Sequence, residues 1–177
     1  GLLSQDNLSE LQAITLPCGT PLEFILAVPG RRYSEVADAV APLHAALFAQ
    51  AKDETQGETL WNDLRLIVAH NPNTAAAQTA ARAETIATLE QQATQWVGKL
   101  DEQDTGKRYR GRKLSDGGVR AKFYRAVCEA HLTRIIQVDL KSEQFTYRID
   151  DQALQQAQLM DGKLMLITNT QDLSPID

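Results

Sequence analysis

Two rhythms of apolar and polar positions alternate along the chain, and Pro, Gly, Asn and Asp mark the breaks between them. Ser4 is placed to cap a short helix reaching about Thr15, with Leu8 and Leu11 on one face, and Pro17, Gly19 and Pro21 end it. Leu22–Val28 reads as a buried strand closed by Pro29-Gly30. Ser34 opens an Ala-rich helix from Glu35 to about Lys52, with Pro42 expected to kink or split it. Thr55–Glu58 reads as a loop around Gly57. Leu64–His70 is a strand rich in β-branched residues, terminated by Asn71-Pro72-Asn73.

The longest periodic segment follows. Asn73 or Thr74 is expected to cap a helix reaching about Leu100, on which Ala76, Ala80, Ala83, Ile86, Leu89, Ala93 and Trp96 recur at steps of three and four. Core packing is the expected use of that stripe, with docking on a partner as the alternative. A basic loop, Asp101–Leu114, separates it from a helix capped by Ser115 and running from about Val119 to Leu132. Arg134–Leu140 and Gln144–Ile149 read as a hairpin through Lys141-Ser142-Glu143. Asp150 or Asp151 caps a helix to about Leu159. Asp161-Gly162 then turns into a last strand, Leu164–Thr168. Strands and helices in this irregular order predict an α+β fold rather than a doubly wound sheet.

Composition narrows the picture. The 177 residues, 43% hydrophobic and 23% charged, suffice for one domain of ordinary size without a disulfide or metal scaffold. No apolar run approaches the ~20 residues of a membrane span. The N-terminus lacks the basic and apolar regions of a signal peptide and has no initiator Met, and the chain stops at Ser174-Pro175-Ile176-Asp177, a helix start without its helix. A piece cut from a longer protein is therefore expected. Cys18 and Cys128 are far apart, with no His at ligand spacing, which predicts two reduced thiols in a cytoplasmic protein. His44, His70 and His131 are scattered and read as solvated or structurally bonded.

Charge is unevenly spread. Between Lys107 and Arg125 stand Lys107, Arg108, Arg110, Arg112, Lys113, Arg120, Lys122 and Arg125, opposed only by Asp116, a net of +7 that leaves −12 for the rest of a chain with overall charge −5. Such a segment suits contact with a polyanion, or else pairing with the preceding Asp101, Glu102 and Asp104. The motifs GxSxG, HExxH, GxxxxGK[ST] and GxGxxG do not occur, and no close pair of acids stands beside a His. A small metabolic enzyme is accordingly disfavoured.

The order of segments resembles bacterial insertion-sequence transposases of the Asp-Asp-Glu class. The likeness rests on the opening Gly1-Leu2-Leu3-Ser4-Gln5-Asp6-Asn7-Leu8-Ser9-Glu10-Leu11 and on Leu22-Glu23-Phe24-Ile25-Leu26-Ala27-Val28-Pro29-Gly30-Arg31. It continues in Arg65–Pro72 with the helix that follows. It is most specific in Asp161-Gly162-Lys163-Leu164-Met165-Leu166-Ile167-Thr168-Asn169-Thr170, similar to the family's Asp-Gly…Leu-x-Thr-Asn signature. The middle, from about Ser34 to Leu60 and from Asp101 to Leu132, matches only as variable inserted sequence.

The resemblance implies residues 1–33 as part of a ribonuclease H-like core, 34–149 as a mainly helical insertion with a hairpin near its end, and 150–177 as the return to the core. It implies that Gly1 follows the second catalytic aspartate and that the catalytic glutamate lies beyond Asp177, so that none of the three carboxylates is present. The whole protein would then use two Mg²⁺ ions to cut and join transposon-end DNA, with no metal expected in this piece. It further implies DNA as a partner through Lys107, Arg108, Arg110, Arg112, Lys113, Arg120 and Lys122, and allows a homo-oligomer of the full protein. Trp61 and Trp96 offer rings for base stacking, although packing is the expected role of both. A non-enzymatic interaction domain using helix 73–100 is the alternative.

Overall fold

The computed structural model describes residues 4–106 and 113–170, and they form an α+β fold that clusters into two compact units. One unit runs through Gln78 and resumes at Gln158; the other covers Thr79–Ala157.

The first unit is built on a four-stranded antiparallel sheet in the order β1-β6-β3-β2, where β1 is Ile25–Ala27, β2 Thr55–Trp61, β3 Leu64–His70 and β6 Lys163–Thr168. The sequence between 55 and 58, expected as a loop, is instead the start of β2. The missed signal is the hairpin turn Asn62-Asp63, whose backbones take φ 49° and 59° and so match the twist of the flanking strands. Gly57 and two exposed polar residues, Gln56 and Glu58, disguised the alternation that buries every second side chain of β2 in part.

One sheet face carries the core. Leu64, Leu66 and Val68 of β3 and Met165 and Ile167 of β6 are buried with Val36, Val40 and Phe48. After a 3₁₀ segment (Gly30–Glu35), the expected helix 35–52 is shorter and divided into α2 (Ala37–Leu43) and a π-helical turn (His44–Phe48). Pro42 sits inside α2 and has no N–H to donate, in keeping with the expected split. Helix α1 (Gln5–Ala13) begins as expected, Ser4 accepting from the Asn7 N–H at 3.4 Å.

In the second unit α3 (Pro72–Asp104, its first turns belonging to the sheet unit) and α4 (Asp116–Glu129) enclose an aromatic core, with the short hairpin β4 (Ile136–Val138) and β5 (Tyr147–Ile149) and most of α5 (Asp151–Met160). Phe123 is fully buried, with ring centroids 4.7 Å from Tyr147, 5.3 Å from Phe145 and 6.5 Å from Trp96.

Several boundaries differ from expectation. Helix α3 is capped by Asn71, whose Oδ1 accepts from the Thr74 N–H at 3.0 Å, with Pro72 in the first helical position where its missing N–H costs nothing. It runs on to Asp104, shortening the basic loop. Its buried side chains are Ile86, Leu89 and Ala93, but Ala76, Ala80 and Ala83 are exposed; the inward face begins one residue earlier, at Ala75, Thr79 and Arg82. Helix α4 ends at Glu129 rather than Leu132. His131 turns left-handed (φ 57°) and the Leu132 N–H returns to the Val127 carbonyl at 3.0 Å.

Candidate nucleic-acid interface

Of the expected DNA-contacting residues, Lys107, Arg108, Arg110 and Arg112 lie outside the described residues. Lys113, Arg120 and Lys122 have places in the structure, and the fold treats them differently. Ser115 caps α4, its Oγ accepting from the Gly118 N–H at 3.2 Å, and Asp116 faces away to accept from the Phe145 N–H at 2.8 Å. These contacts fix the first turn of α4 beside a concavity of about 340 Å³ lined by Lys113, Leu114, Ser115, Gly118 and Lys122. Both lysines are exposed. The partial positive charge of a helix N-terminus adds to theirs, with Asp116 of the same turn opposing it.

Arg120 serves a structural purpose. Its guanidinium donates to the carbonyls of Leu140 (3.4 Å), Ser142, Glu143 (3.2 Å) and Gln144 (3.4 Å), and so straps the 140–144 loop onto α4. Four main-chain acceptors leave this guanidinium committed. Arg125, farther along the helix, pairs with Glu129 at 2.8 Å on the surface. The described part of the basic segment thus divides into a pair of open lysines and two arginines with partners.

A second concavity, about 370 Å³, lies on the hairpin and is lined by Gln137, Val138, Asp139, Thr146, Tyr147 and Arg148. Arg148 donates to Gln137 Oε1 at 2.9 and 2.6 Å, and Gln137 passes the contact to Asp150 at 2.9 Å. The expected hairpin forms and brings 137 and 148 together in direct register, a pairing that residue order alone does not specify.

The two tryptophans pack, as expected. Trp96 meets Phe123 edge-on, and Trp61 donates its indole N–H to the Glu35 carbonyl at 3.1 Å. Cys18 is exposed and Cys128 half-buried, both free thiols.

The residues most specific to the transposase resemblance have structural duties here. Gly162 takes φ +68° and fits against the start of α3, donating to Gln78 Oε1 at 2.8 Å and accepting from the Asn71 N–H at 2.9 Å. At the other end of β6, the Asn169 amide bridges the 22–24 segment, accepting from the Phe24 N–H at 2.9 Å and donating to the Leu22 carbonyl at 2.8 Å. Thr168 donates to the Phe24 carbonyl at 2.7 Å. Asp-Gly turns the strand and Thr-Asn fastens its end.

Among the described residues, no group of three or more His, Cys, Asp or Glu side chains is arranged to hold a metal ion. No described helix is long and apolar enough to cross a membrane. Comparison with known proteins found no matching family model, no matching curated protein and no matching solved structure.

Proposed function

We propose that the chain is part of an insertion-sequence transposase of the Asp-Asp-Glu class, supplying a section of a ribonuclease H-like core and a DNA-contacting insertion. The observation that carries the DNA contact is the pair of open lysines, Lys113 and Lys122, at the N-terminus of α4, continuous in sequence with Lys107–Arg112. Support for the family comes from the Asp161–Thr170 signature, whose ends turn and fasten a central strand. In this reading the catalytic carboxylates and their Mg²⁺ ions belong to flanking sequence, and the chain by itself binds DNA without cutting it.

Lysines that neutralise phosphates release counterions, so binding of a labelled duplex should weaken steeply with salt. The double substitution K113E/K122E should lower affinity at least ~10-fold and reduce the slope of log affinity against log salt by about 2. Binding that ignores both salt and these substitutions would sink the proposed interface, and nicking of DNA by the purified chain in Mg²⁺ would contradict the absence of a catalytic set. A second reading, a non-enzymatic interaction domain, draws on the exposed alanines 76, 80 and 83 of α3. Salt-insensitive association with a protein partner would favour it.

A further inference from the structure

Three basic side chains widely separated in sequence meet inside the sheet unit. Lys163 is 8% exposed and His70 4% exposed, side by side on adjacent strands in direct register. His44 reaches them from the π-helical turn. The Lys163 ammonium lies 3.2 Å from His44 Nδ1 and 3.5 Å from His70 Nδ1, and 5.6 Å from the centre of the Phe48 ring. The two imidazoles stand edge-on with centroids 5.8 Å apart.

We propose that His44, His70 and Lys163 form an acid-released clasp that fastens the turn His44–Phe48 to the sheet. An ammonium has only donors, so each contact needs an imidazole nitrogen with a free lone pair. In that state the cluster carries one positive charge, stabilised by the π face of Phe48. Protonating either ring removes an acceptor and sets a second cation against the first in a poorly solvated place.

Among the described residues, little offsets that charge. Asp161 is the acid facing the cluster; it draws the Lys163 pKa upward, and its main chain bonds to His70. From the 3₁₀ segment, Tyr33 donates its hydroxyl to the Lys163 carbonyl at 3.0 Å, and burial raises its pKa, so it stays neutral through the range that matters. Burial, then Lys163, depresses the pKa of both histidines, and His44 depresses that of His70 further.

Geometry decides which part gives way. His70 and Lys163 belong to paired central strands, whereas His44 starts a single π turn closed by the Ala49 N–H on the His44 carbonyl at 2.9 Å. Such turns are short and seldom stable alone. Leu47 on the same turn is 46% exposed, so Phe48 is its main apolar attachment. This inference is independent of the transposase reading.

The test is amide hydrogen exchange on the full chain, corrected for the intrinsic pH dependence, at neutral pH and at about pH 5 where histidines charge. Peptides covering 44–50 should lose protection about tenfold in acid while 116–129 keep theirs. H44Q, which retains a polar side chain but takes up no proton, should abolish most of that loss. Unchanged protection of 44–50, equal loss in both segments, or full acid opening in H44Q would each overturn the clasp. Should H44Q fail to fold, imidazole resonances of the unaltered protein decide it: the proposal requires His44 and His70 to titrate in step with the loss of protection, and independent titration refutes it.

Discussion

The two units of the chain place their basic groups in opposite ways. The sheet unit buries a lysine and a histidine beside a second histidine and gives them mutual contacts, whereas the α4 unit fills its interior with Phe123, Phe145 and Tyr147 and leaves Lys113 and Lys122 outside. The difference teaches what a buried charge requires. On β6 an inward position faces His70 across one strand pair, so an ammonium finds an acceptor. The inward face of α4, with Val119, Phe123 and Val127, packs in an apolar core, so its cations stay at the surface or, like Arg120, reach loop carbonyls. One interior is therefore sensitive to protons, and the other is governed by shape.

The comparison can be broken at several points. The largest effect is expected from G162A. An added Cβ would lie 2.4 Å from the Asn71 carbonyl oxygen and 2.8 Å from the Ala75 nitrogen, at a backbone with φ +68°, so main chain has to move. We expect the sheet unit to lose about 5 kcal/mol, seen as lost exchange protection in 64–70 and 163–168. Retention of 116–129 would show that the helical unit holds its own structure. The mirror experiment, F123A, empties the middle of the aromatic core and should cost about 4 kcal/mol, lost first from 116–129. Equal loss in both units from either variant would mean that they unfold as one.

A smaller effect sharpens the electrostatic half of the contrast. Burial lowers the Lys163 pKa from 10.5 to about 8, which corresponds to about 3 kcal/mol. The unfolded chain then binds more protons between those values, so stability should rise as pH climbs from about 8 towards 10.5. For His44 and His70, also lowered, the penalty appears as pH falls below the ordinary 6.5. In the helical unit Asp139 is lowered by the Lys141 and Ser142 N–H groups, so its stabilisation persists until pH falls below its ordinary 3.8. K163M should erase the alkaline rise, as thermal melts across pH would reveal, while loosening the turn His44–Phe48 whose contacts it removes. An alkaline rise left intact in K163M would show that it does not come from this lysine.

Much of the fold was legible locally. Leu64–His70, the helix after it and the α+β class follow from periodicity, because a long repeat of apolar positions leaves few alternatives. Boundaries were less legible. Asn71-Pro72 reads equally as the end of a strand and the start of a helix, and it is both. In α3 the expected stripe holds from Ile86 through Leu89 and Ala93 to Trp96 and is one position out of phase only at Ala76, Ala80 and Ala83, since alanine fits an exposed face as readily as a buried one. Strand β2 was hidden because Gly57 breaks its pattern. Its neighbours Leu43, Leu47 and Phe48 need that gap, for a Cβ there would sit 2.8 Å from Leu47 Cδ1.

The candidate site divides along the same line. The basic run is visible in the residue order alone, since charge density is a local property. Which members remain open was decided by tertiary structure: Arg120 is captured by carbonyls more than 20 residues away, whereas Lys113 and Lys122 have a concavity between them. The clasp lies at the far limit of this distinction. His44, His70 and Lys163 show no spacing that links them, and their meeting depends on β3 and β6 pairing in register beneath a π turn. Sequence by itself determined most of the helices and strands, β2 excepted, and where charge concentrates, because propensity and periodicity act over a few residues. Only the tertiary structure decided which charges share an interior, because that depends on contacts made across the whole length of the chain.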